Sequence, residues 1–336
     1  MDDWQARVRP IARRHRPSGS SPHETVPAMM LAMDPSRLSG ELSGPAPGHA
    51  SRAPIPVNPA ARTRATRSLA RAVRHRAGAL ALAPVYRLYA HRLRDQVMSR
   101  PRPAHVAIIM DGNRRWAQRE GLADPGAGHR RGADKILEVL GWCSTLGIDE
   151  VTLWALSMEN LDRSPEELAA LLDVVTERLG GLAGRKGRPA PMRVRVIGRR
   201  DALPDRVRAA IEAAETATST SRGPLATFAV AYSGHDELVD ACRETVRDLV
   251  AGGVPAEELA TRIDETELAR HLYTTGRPDP ELIIRTSGEV RLSGFLPWQS
   301  AHSEFYFCDA YWPAFREIDF LRALRTFQLR ARRFGR

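Results

Sequence analysis

The stretch from His105 to Trp116 reads His-Val-Ala-Ile-Ile-Met-Asp-Gly-Asn-Arg-Arg-Trp. Its apolar half has the length of a buried strand, and the glycine and asparagine that follow predict a tight turn into a helix. A helix N-terminus carries free N–H groups and a positive dipole, so it suits an anion such as a diphosphate. A single carboxylate at the strand end, Asp111, is typical of a Mg²⁺ site that phosphate oxygens complete. The stretch therefore predicts a magnesium–diphosphate site.

Two common phosphate-binding motifs are absent from this stretch. A P-loop requires Gly-x-x-x-x-Gly-Lys-Ser/Thr, and a dinucleotide-binding fold requires Gly-x-Gly-x-x-Gly after the strand. An aspartate phosphatase would have a second aspartate where this chain has Asn113. At this point an ordinary strand-to-helix turn with a capping side chain remains the alternative.

The formal charge of +10 is concentrated in the N-terminal part of the chain. Residues 1–104 carry 18 arginines and 6 acidic residues, whereas residues 105–336 carry 32 basic and 34 acidic residues. Residues 1–68 are rich in Pro, Ser, Ala, Gly and Arg without periodicity, so we expect a disordered Arg/Pro-rich extension. Its charge would attract nucleic acid only non-specifically, so no specific nucleic-acid partner is expected.

Residues 69–104 are predicted to form a basic helical segment. Apolar residues recur at helical spacing from Leu80 to Val97 and alternate with Arg87, Arg92 and Arg94. A basic amphipathic helix can lie on an anionic membrane, which would place the protein at the membrane periphery. Packing on the neighbouring domain with solvated arginines is the alternative, and we favour it for residues 85–98.

The three cysteines, Cys143, Cys242 and Cys308, are far apart and odd in number. They form no Cys-x-x-Cys pair, which fits a reduced compartment and argues against a zinc or redox centre. No apolar run approaches the ~18 residues of a membrane span, and the first four residues lack the order of a secretion signal. We therefore expect a cytoplasmic protein.

From residue 105 to residue 336, short apolar runs alternate with longer helical segments. This alternation predicts one α/β domain, in which helices cover a mostly parallel six-stranded sheet. Ligands bind beyond the carboxyl ends of the strands in such sheets, which is where Asp111 lies. The predicted strands are His105–Asp111, Glu150–Leu156, Met192–Gly198, Ala226–Ala231, Leu282–Thr286 and Glu304–Phe307. The predicted helices are His129–Leu146, Ser164–Leu182, Pro204–Ser219, Asp236–Ala251, Pro255–Tyr273 and Ile318–Arg333.

A second group of polar residues follows the predicted strand Leu282–Thr286. Arg285, Arg291 and Ser293 are close in sequence and would form a clamp for a second diphosphate. Glu304, a few residues on, would supply a second Mg²⁺ carboxylate. The alternative for the clamp is a surface loop with two solvated arginines, and the alternative for Glu304 is a charge at the end of a helix or strand. The predicted strand Glu150–Leu156 is also followed by polar residues, namely Ser157, Glu159, Asn160 and Arg163.

Five ordered motifs resemble those of cis-prenyltransferases, the family of undecaprenyl diphosphate synthases and shorter Z-isoprenyl diphosphate synthases. They are the opening stretch from His105 to Trp116, Ser-x-Glu-Asn from Ser157, Arg-Thr-x-Gly-Glu-x-Arg-x-Ser from Arg285, Trp-Pro-Ala-Phe from Trp312 and the ending Arg-x-Gly from Arg333. The resemblance runs from about residue 102 to the C-terminus. It implies the cis-prenyltransferase fold for residues 105–336 and a homodimer. The implied reaction is Mg²⁺-dependent condensation of isopentenyl diphosphate with an allylic diphosphate, geranyl or farnesyl diphosphate, to form a Z double bond.

The resemblance also implies roles for the matching residues. Asp111 would hold Mg²⁺ and assist departure of the allylic diphosphate, and Glu304 would complete the metal site. Asn113, Trp116 and Asn160 would orient the reacting ends. Arg333 and Gly335 would reach a diphosphate from the partner subunit. The implied substrate-binding residues are Gly112, Arg114, Arg115, Trp116, His129, Ser157, Arg163, Arg285, Arg291, Ser293, Arg333 and Gly335.

Some positions depart from the family's motifs. The loop before His129 has no arginine, a feature of the short-chain members, so we expect a short product, Z,E-farnesyl diphosphate. Ala155 is small where the short-chain type would place a bulky residue to close the tunnel for the prenyl chain. Tyr232-Ser-Gly-His and Ile197-Gly-Arg stand where Tyr-Gly-Gly-Arg and Ile-Gly-Asp are usual.

Three other hypotheses remain open from the sequence. One is a long-chain decaprenyl or undecaprenyl diphosphate synthase, and another is a terpene enzyme of the same fold that joins two allylic units. The third is a non-catalytic partner subunit. Such subunits typically lose the aspartate of the first motif, which this chain keeps as Asp111.

Overall fold

Six parallel strands form one sheet in the computed structural model, which describes residues 86, 88–124, 126–183 and 192–330. The predicted extension 1–68 and the predicted partner-reaching residues Arg333 and Gly335 lie outside the described residues. The strands are β1 (His105–Ile109), β2 (Glu150–Trp154), β3 (Arg193–Ile197), β4 (Leu225–Ala229), β5 (Leu282–Arg285) and β6 (Glu304–Phe307), in the order β3-β4-β2-β1-β5-β6. The predicted α/β class with a six-stranded parallel sheet is confirmed.

The central strands are apolar because both faces of the sheet are covered. All five residues of β1 are buried, as are all those of β4 and β5. Strands buried on both faces have near-continuous apolar sequences rather than alternating ones. For this reason the continuous apolar sequence before Asp111 correctly indicated a strand, β1.

Helices alternate with the strands along the chain. After a first helix over residues 88–98, here α1, they are α2 (Asn113–Arg119), α3 (Ala127–Leu146), α4 (Pro165–Ala183), α5 (Asp205–Thr218), α6 (Gly234–Ala251), α7 (Leu259–Arg262), α8 (Glu265–Ala269) and α9 (Glu317–Leu329). Short 3₁₀ turns occupy Met158–Asp162, Arg200–Ala202 and Trp312–Ala314. No helix in the described part of the chain is long and apolar enough to cross a bilayer.

The predicted helix Pro255–Tyr273 is two short helices, α7 and α8, in the structure. Ile263 ends α7 in an extended conformation, and the side chain of Asp264 accepts a hydrogen bond from the N–H of Glu267 at 2.9 Å. An aspartate in this position starts a new helix because its oxygen satisfies a free N–H of the first turn. Apolar spacing alone predicted one continuous helix, whereas Asp264 caps a second helix and so divides the segment in two.

Helix α1 packs against the domain. Leu93 and Val97 are buried, and the side-chain amide of Gln328 donates to the carbonyl of Val97 at 2.9 Å. Arg94 forms an ion pair with Glu317 at the start of α9. These contacts agree with the packed alternative that we favoured for residues 85–98, while residues 69–85 lie outside the described part.

Candidate active site

The turn after β1 requires a glycine. Gly112 has a φ of +100°, and a Cβ atom there would lie 2.7 Å from Cδ1 of Tyr311. Both the left-handed conformation and the close approach exclude other residues. Helix α2 begins at the next residue, Asn113, so its first turn points toward the carboxyl edge of the sheet.

Two glycines of α3 bring α2 close to that helix. A Cβ at Gly128 would lie 2.2 Å from the backbone oxygen of Asn113, and a Cβ at Gly132 would lie 2.2 Å from its Oδ1. Nδ2 of Asn113 donates to the carbonyl of Met110 at 3.1 Å. The side chain of Asn113 is therefore fixed between the end of β1 and the face of α3.

Asp111 receives two guanidinium groups. Its Oδ2 accepts from Nη2 of Arg285 at 2.9 Å, and its Oδ1 accepts from Nη2 of Arg115 at 3.0 Å. The hydroxyl of Thr286 donates to the backbone oxygen of Asp111 at 2.7 Å. Burial alone would raise the pKa of Asp111, but the hydrogen bonds from Arg285 and Arg115 outweigh burial and lower it. The carboxylate is ionised at neutral pH.

Arg285, the last residue of β5, is buried and has three acceptors. Besides Asp111, its Nη1 donates to the carbonyl of Arg291 at 2.5 Å and to the hydroxyl of Ser293 at 2.9 Å. The side chain of Arg291 is exposed and pairs with Glu289. We call Arg285, Arg291 and Ser293 the diphosphate clamp.

Glu289 and Ser287 belong to the same network, although the sequence analysis did not select them. Glu289 accepts from Nη1 of Arg115 at 3.0 Å and pairs with Arg291, and the hydroxyl of Ser287 accepts from Nη2 of Arg115 at 2.9 Å. The arginines lower the pKa of Glu289, with Arg115 the larger cause. Their position after the strand that carries Arg285 is the only signal in the sequence. Their contacts with Arg115, which is 172 and 174 residues away in the chain, come from the fold.

The opposite wall of the site follows β2. Ser157 and Asn160 bond reciprocally: the N–H of Ser157 donates to Oδ1 of Asn160 at 3.1 Å, and Oγ of Ser157 accepts from the N–H of Asn160 at 3.3 Å. Arg163 donates to Glu167 at 2.8 Å. Burial, followed by the charge of Arg163, lowers the pKa of His129 to about 4, so this imidazole is neutral at pH 7.

These side chains surround a cleft of about 440 Å³. Five arginines and two carboxylates line it, and this excess of positive charge in a cleft favours anionic ligands. The lining includes eleven of the residues predicted from the sequence: Asp111, Gly112, Asn113, Arg114, Arg115, His129, Ser157, Asn160, Arg163, Arg285 and Arg291. Ser293 contacts the cleft residue Arg285, whereas Trp116, half-buried on α2, is not among the lining residues.

The structure does not bring Glu304 to Asp111 within one chain. Glu304 opens β6 and is in register with Leu282, which pairs with Val106. Val106 is five residues before Asp111. At about 3.3 Å per residue, Glu304 therefore lies on the order of 15 Å from Asp111 along the strand direction. The side chain of Glu304 pairs with Arg330. Glu304 is the first residue of the predicted strand as well as of β6, and the first residues of parallel strands lie at the edge of the sheet opposite Asp111.

A second, largely apolar cavity of about 370 Å³ adjoins the cleft. The two share Met110, Asn113, His129, Ala155 and Leu171 in their linings. The apolar cavity extends between α3, α4 and the sheet and is further lined by Ile136, Leu137, Leu140, Val174, Val175, Leu179, Met192, Phe228 and Val230. The site therefore combines a charged end with an adjacent apolar end.

The donor set at the charged end fits Mg²⁺. No group of three or more His, Cys, Asp or Glu side chains comes together in the described residues. Mg²⁺ is usually held by one or two carboxylates together with substrate phosphates rather than by a full protein cage. Asp111 is an ionised carboxylate beside the guanidinium groups of Arg115 and Arg285, a donor type that suits phosphate oxygens, so it meets that requirement.

Comparisons with known proteins agree with this chemistry. A family model described as putative undecaprenyl diphosphate synthase matches residues 109–335. The chain is 51% identical over 252 residues to the (2Z,6E)-farnesyl diphosphate synthase of Thermobifida fusca, covering 75% of this chain and 97% of that protein. It is 49% identical over 267 residues to the tritrans,polycis-undecaprenyl-diphosphate synthase (geranylgeranyl-diphosphate specific) of Methanopyrus kandleri, covering 79% and 97%. A solved structure of lavandulyl diphosphate synthase from Lavandula x intermedia, in complex with dimethylallyl diphosphate, matches with a TM-score of 0.63 and 34% identity over 70% of this chain and 98% of that one.

Proposed function

Because this chain is a cis-prenyltransferase of the undecaprenyl diphosphate synthase family, we propose that it condenses isopentenyl diphosphate with an allylic diphosphate. In this reaction the allylic C–O bond breaks, a new C–C bond forms to isopentenyl diphosphate, and that unit loses a proton to give a Z double bond. One observation carries the proposal: a cleft rich in arginines continues into an apolar cavity through five shared residues. A prenyl diphosphate likewise has a charged end, which would fit the cleft, and an apolar chain, which would fit the cavity.

The allylic substrate would place its diphosphate against Asp111 and the first turn of α2, with its chain in the apolar cavity. The free N–H groups of that turn, together with Arg115, would bind phosphate oxygens. Negative charge develops on the diphosphate as the allylic bond breaks, so fixed donors on this side stabilise the transition state more than the ground state.

Isopentenyl diphosphate would bind at the diphosphate clamp. Arg285 and Arg291 supply planar guanidinium groups suited to phosphate oxygens, and Ser293 supplies a hydroxyl. Asn113 and Asn160 line the cleft between the two diphosphate positions and would orient the reacting ends. Trp116 does not line the cleft, and its orienting role is better described as support from α2.

Mg²⁺ would be held by Asp111 and the allylic diphosphate, where it would neutralise charge on the leaving group. The ionised state of Asp111 supports this assignment. Glu304 is too far along the sheet to share that ion within one chain, so a metal role for it would require the proposed homodimer. The same applies to the proposed diphosphate contacts of Arg333 and Gly335 from the partner subunit.

The product is proposed to be short, Z,E-farnesyl diphosphate made by one addition to geranyl diphosphate. The loop before His129 contains no arginine, a feature of the short-chain members, which supports a short product. The relative from Thermobifida fusca is named a (2Z,6E)-farnesyl diphosphate synthase. The long-chain alternative has support from the relative in Methanopyrus kandleri, which is named for an undecaprenyl product.

A product assay tests the proposal. Purified protein is incubated with labelled isopentenyl diphosphate, Mg²⁺ and either geranyl or farnesyl diphosphate, and the products are identified by mass spectrometry. A single addition to geranyl diphosphate is expected. A ladder of long chains would establish the long-chain alternative, and no condensation with either primer would contradict the proposed function.

Liposome binding by the full chain tests peripheral contact of the basic N-terminal segment with an anionic membrane.

A further inference from the structure

The guanidinium group of Arg115 donates to three side chains in the cleft. Its Nη1 donates to Glu289 at 3.0 Å, and its Nη2 donates to Asp111 at 3.0 Å and to the hydroxyl of Ser287 at 2.9 Å. A guanidinium group presents its N–H donors in one plane, where they match carboxylate and phosphate oxygens alike. These three acceptors therefore take N–H groups that a phosphate ligand would also use.

The same guanidinium group lies over the aromatic ring of Tyr311. Cζ of Arg115 is 5.8 Å from the centre of this ring. A cation within roughly 6 Å of the centre is attracted by the negative face of the ring, and arginine is the residue that most often forms this contact. Tyr311 therefore holds Arg115 by an interaction of a different kind from its hydrogen bonds.

The two kinds of contact differ in what they leave for a ligand. Asp111 and Glu289 occupy N–H donors of Arg115 and offset its positive charge, so an anion that binds to Arg115 competes with them. An aromatic ring attracts a cation through its quadrupole and carries no net charge. The contact with Tyr311 can therefore persist while Arg115 binds a diphosphate.

The segment after β6 fixes Tyr311 beside the turn that follows β1. The N–H of Trp312 donates to the carbonyl of Asp111 at 3.0 Å, and the N–H of Ser287 donates to the carbonyl of Ala310 at 2.8 Å. Ser287 has a positive φ of 80°, a conformation that persists only where the surrounding structure determines it. This short segment thus fixes two groups around the guanidinium, the ring of Tyr311 and the hydroxyl of Ser287.

Packing alone does not require an aromatic residue at position 311. Gly112 lies against the ring, and a Cβ atom there would be 2.7 Å from Cδ1 of Tyr311. An aliphatic side chain of similar size would also fill this space, because packing requires only apolar volume of the right shape. Attraction of the guanidinium group requires the ring itself. The two roles are therefore separable by substitution.

We propose that Tyr311 is a positioning residue that holds the guanidinium group of Arg115 in the place where it binds the allylic diphosphate. Tyr311 is not among the residues that line the cleft, so it acts through Arg115. The inference rests on the proposed function, in which Arg115 binds that diphosphate. Without the ring, Asp111 and Glu289 alone would hold Arg115, and both compete with the substrate.

The first test is Tyr311→Leu, which keeps apolar volume against Gly112 and removes the ring. The expected result is a fall of about fivefold in kcat/KM for geranyl diphosphate, with KM for isopentenyl diphosphate within about twofold of the wild type. Tyr89→Leu is the matched control, because the Tyr89 ring lies 5.7 Å from Cζ of Arg322, away from the cleft. The control should match the wild type. An unchanged kcat/KM for geranyl diphosphate in Tyr311→Leu would overturn the proposal.

Graded fluorination of the ring keeps the test decisive if Tyr311→Leu does not fold. Tyr311→Phe keeps the ring and should stay within about twofold of the wild type. Fluorine atoms added one at a time to that phenylalanine ring weaken its attraction for a cation while nearly preserving its shape. The kcat/KM for geranyl diphosphate should therefore fall stepwise along the series. A constant value along the series would show that the ring acts by packing alone.

The variant Arg115→Ala separates failure of this proposal from failure of the proposed function. In that background Tyr311→Leu should have no further effect, because Tyr311 acts through Arg115. Effects that simply add would overturn the positioning role of Tyr311. If Arg115→Ala by itself leaves kcat/KM for geranyl diphosphate unchanged, the assignment of Arg115 to the allylic diphosphate fails instead.

Discussion

Asp111 and Arg285 join the ends of two neighbouring strands through a bond of 2.9 Å between Oδ2 and Nη2. Ile109 and Arg285 are in register across β1 and β5, so a residue just past β1 is placed opposite the last side chain of β5. Because the strands are parallel, both groups emerge at the same edge. This pair connects the site proposed for the allylic diphosphate with the diphosphate clamp.

Replacing Arg285 with lysine should impair catalysis strongly. Arg285 donates to Asp111, Ser293 and the carbonyl of Arg291 with a planar fork that an ammonium group does not reproduce. Each lost bond to a charged group is worth about 1.5–3 kcal/mol, so kcat/KM should fall about 100-fold. Steady-state kinetics measure the effect, and Arg270→Lys, an exposed position, is the control. A change of less than about threefold would argue against the assigned role of Arg285.

Gly132→Ala should displace Asn113 and lower both activity and stability. The added Cβ would lie 2.2 Å from Oδ1 of Asn113 and 3.0 Å from Cδ1 of Trp312. Overpacking of this kind costs about 1–3 kcal/mol. Thermal unfolding and kcat give the two readouts.

Gly141→Ala in the same helix provides the matched control for Gly132→Ala. A Cβ at Gly141 has nothing within 4 Å, so the helix propensity of alanine should stabilise the protein by up to about 1 kcal/mol without loss of activity. Equal effects of the two substitutions would show that the α2–α3 contact does not matter for Asn113.

Ala155→Leu should discriminate against longer primers. Ala155 lies in the lining shared by the charged cleft and the apolar cavity. A larger side chain there leaves less room for the chain, so kcat/KM for farnesyl diphosphate should fall about tenfold more than for geranyl diphosphate. The control is Ala209→Leu, at an exposed position of α5. Equal losses for both primers would contradict a chain path past Ala155.

Stability should depend on the protonation of His105. Burial lowers its pKa from 6.5 to about 4, and its ring nitrogens bond the carbonyl of Pro278 at 2.7 Å and the hydroxyl of Thr152 at 2.8 Å. The unfolded chain binds the proton more readily than the folded one. The contribution of His105 is therefore present above pH 6.5 and is lost as the pH falls toward 4.

The expected loss of stability from His105 over this range is about 3 kcal/mol. Denaturant unfolding at several pH values measures it, and His105→Gln should flatten the pH dependence between these limits. NMR titration of the His105 ring provides a direct measurement. A midpoint near 6.5 in the folded protein would contradict the prediction.

The sheet and most of the cleft could be predicted from the sequence because the residues that form the cleft directly follow the strands that place them. An apolar run followed by Asp111 and Gly112 indicates a strand end, and the parallel order of strands brings such ends to one edge. The predicted strand ends were one or two residues too long at Asp111 and Thr286, because these polar residues serve the site rather than the strand ladder.

Other features depend on contacts that the sequence does not reveal. Glu289 is recruited by Arg115, which is 174 residues away in the chain. Glu304 begins the predicted strand Glu304–Phe307, and the parallel pairing of β6 with β5 places that end of the strand away from Asp111. Long-range pairings of this kind come from the packed fold.

The central claim is tested most directly by Asp111→Asn in the condensation assay with labelled isopentenyl diphosphate, geranyl diphosphate and Mg²⁺. The substitution keeps the shape of the side chain but removes the charge that Arg285, Arg115 and the proposed Mg²⁺ share. Turnover is expected to fall at least about 100-fold while the protein stays folded. Turnover within about twofold of the wild type would contradict the account.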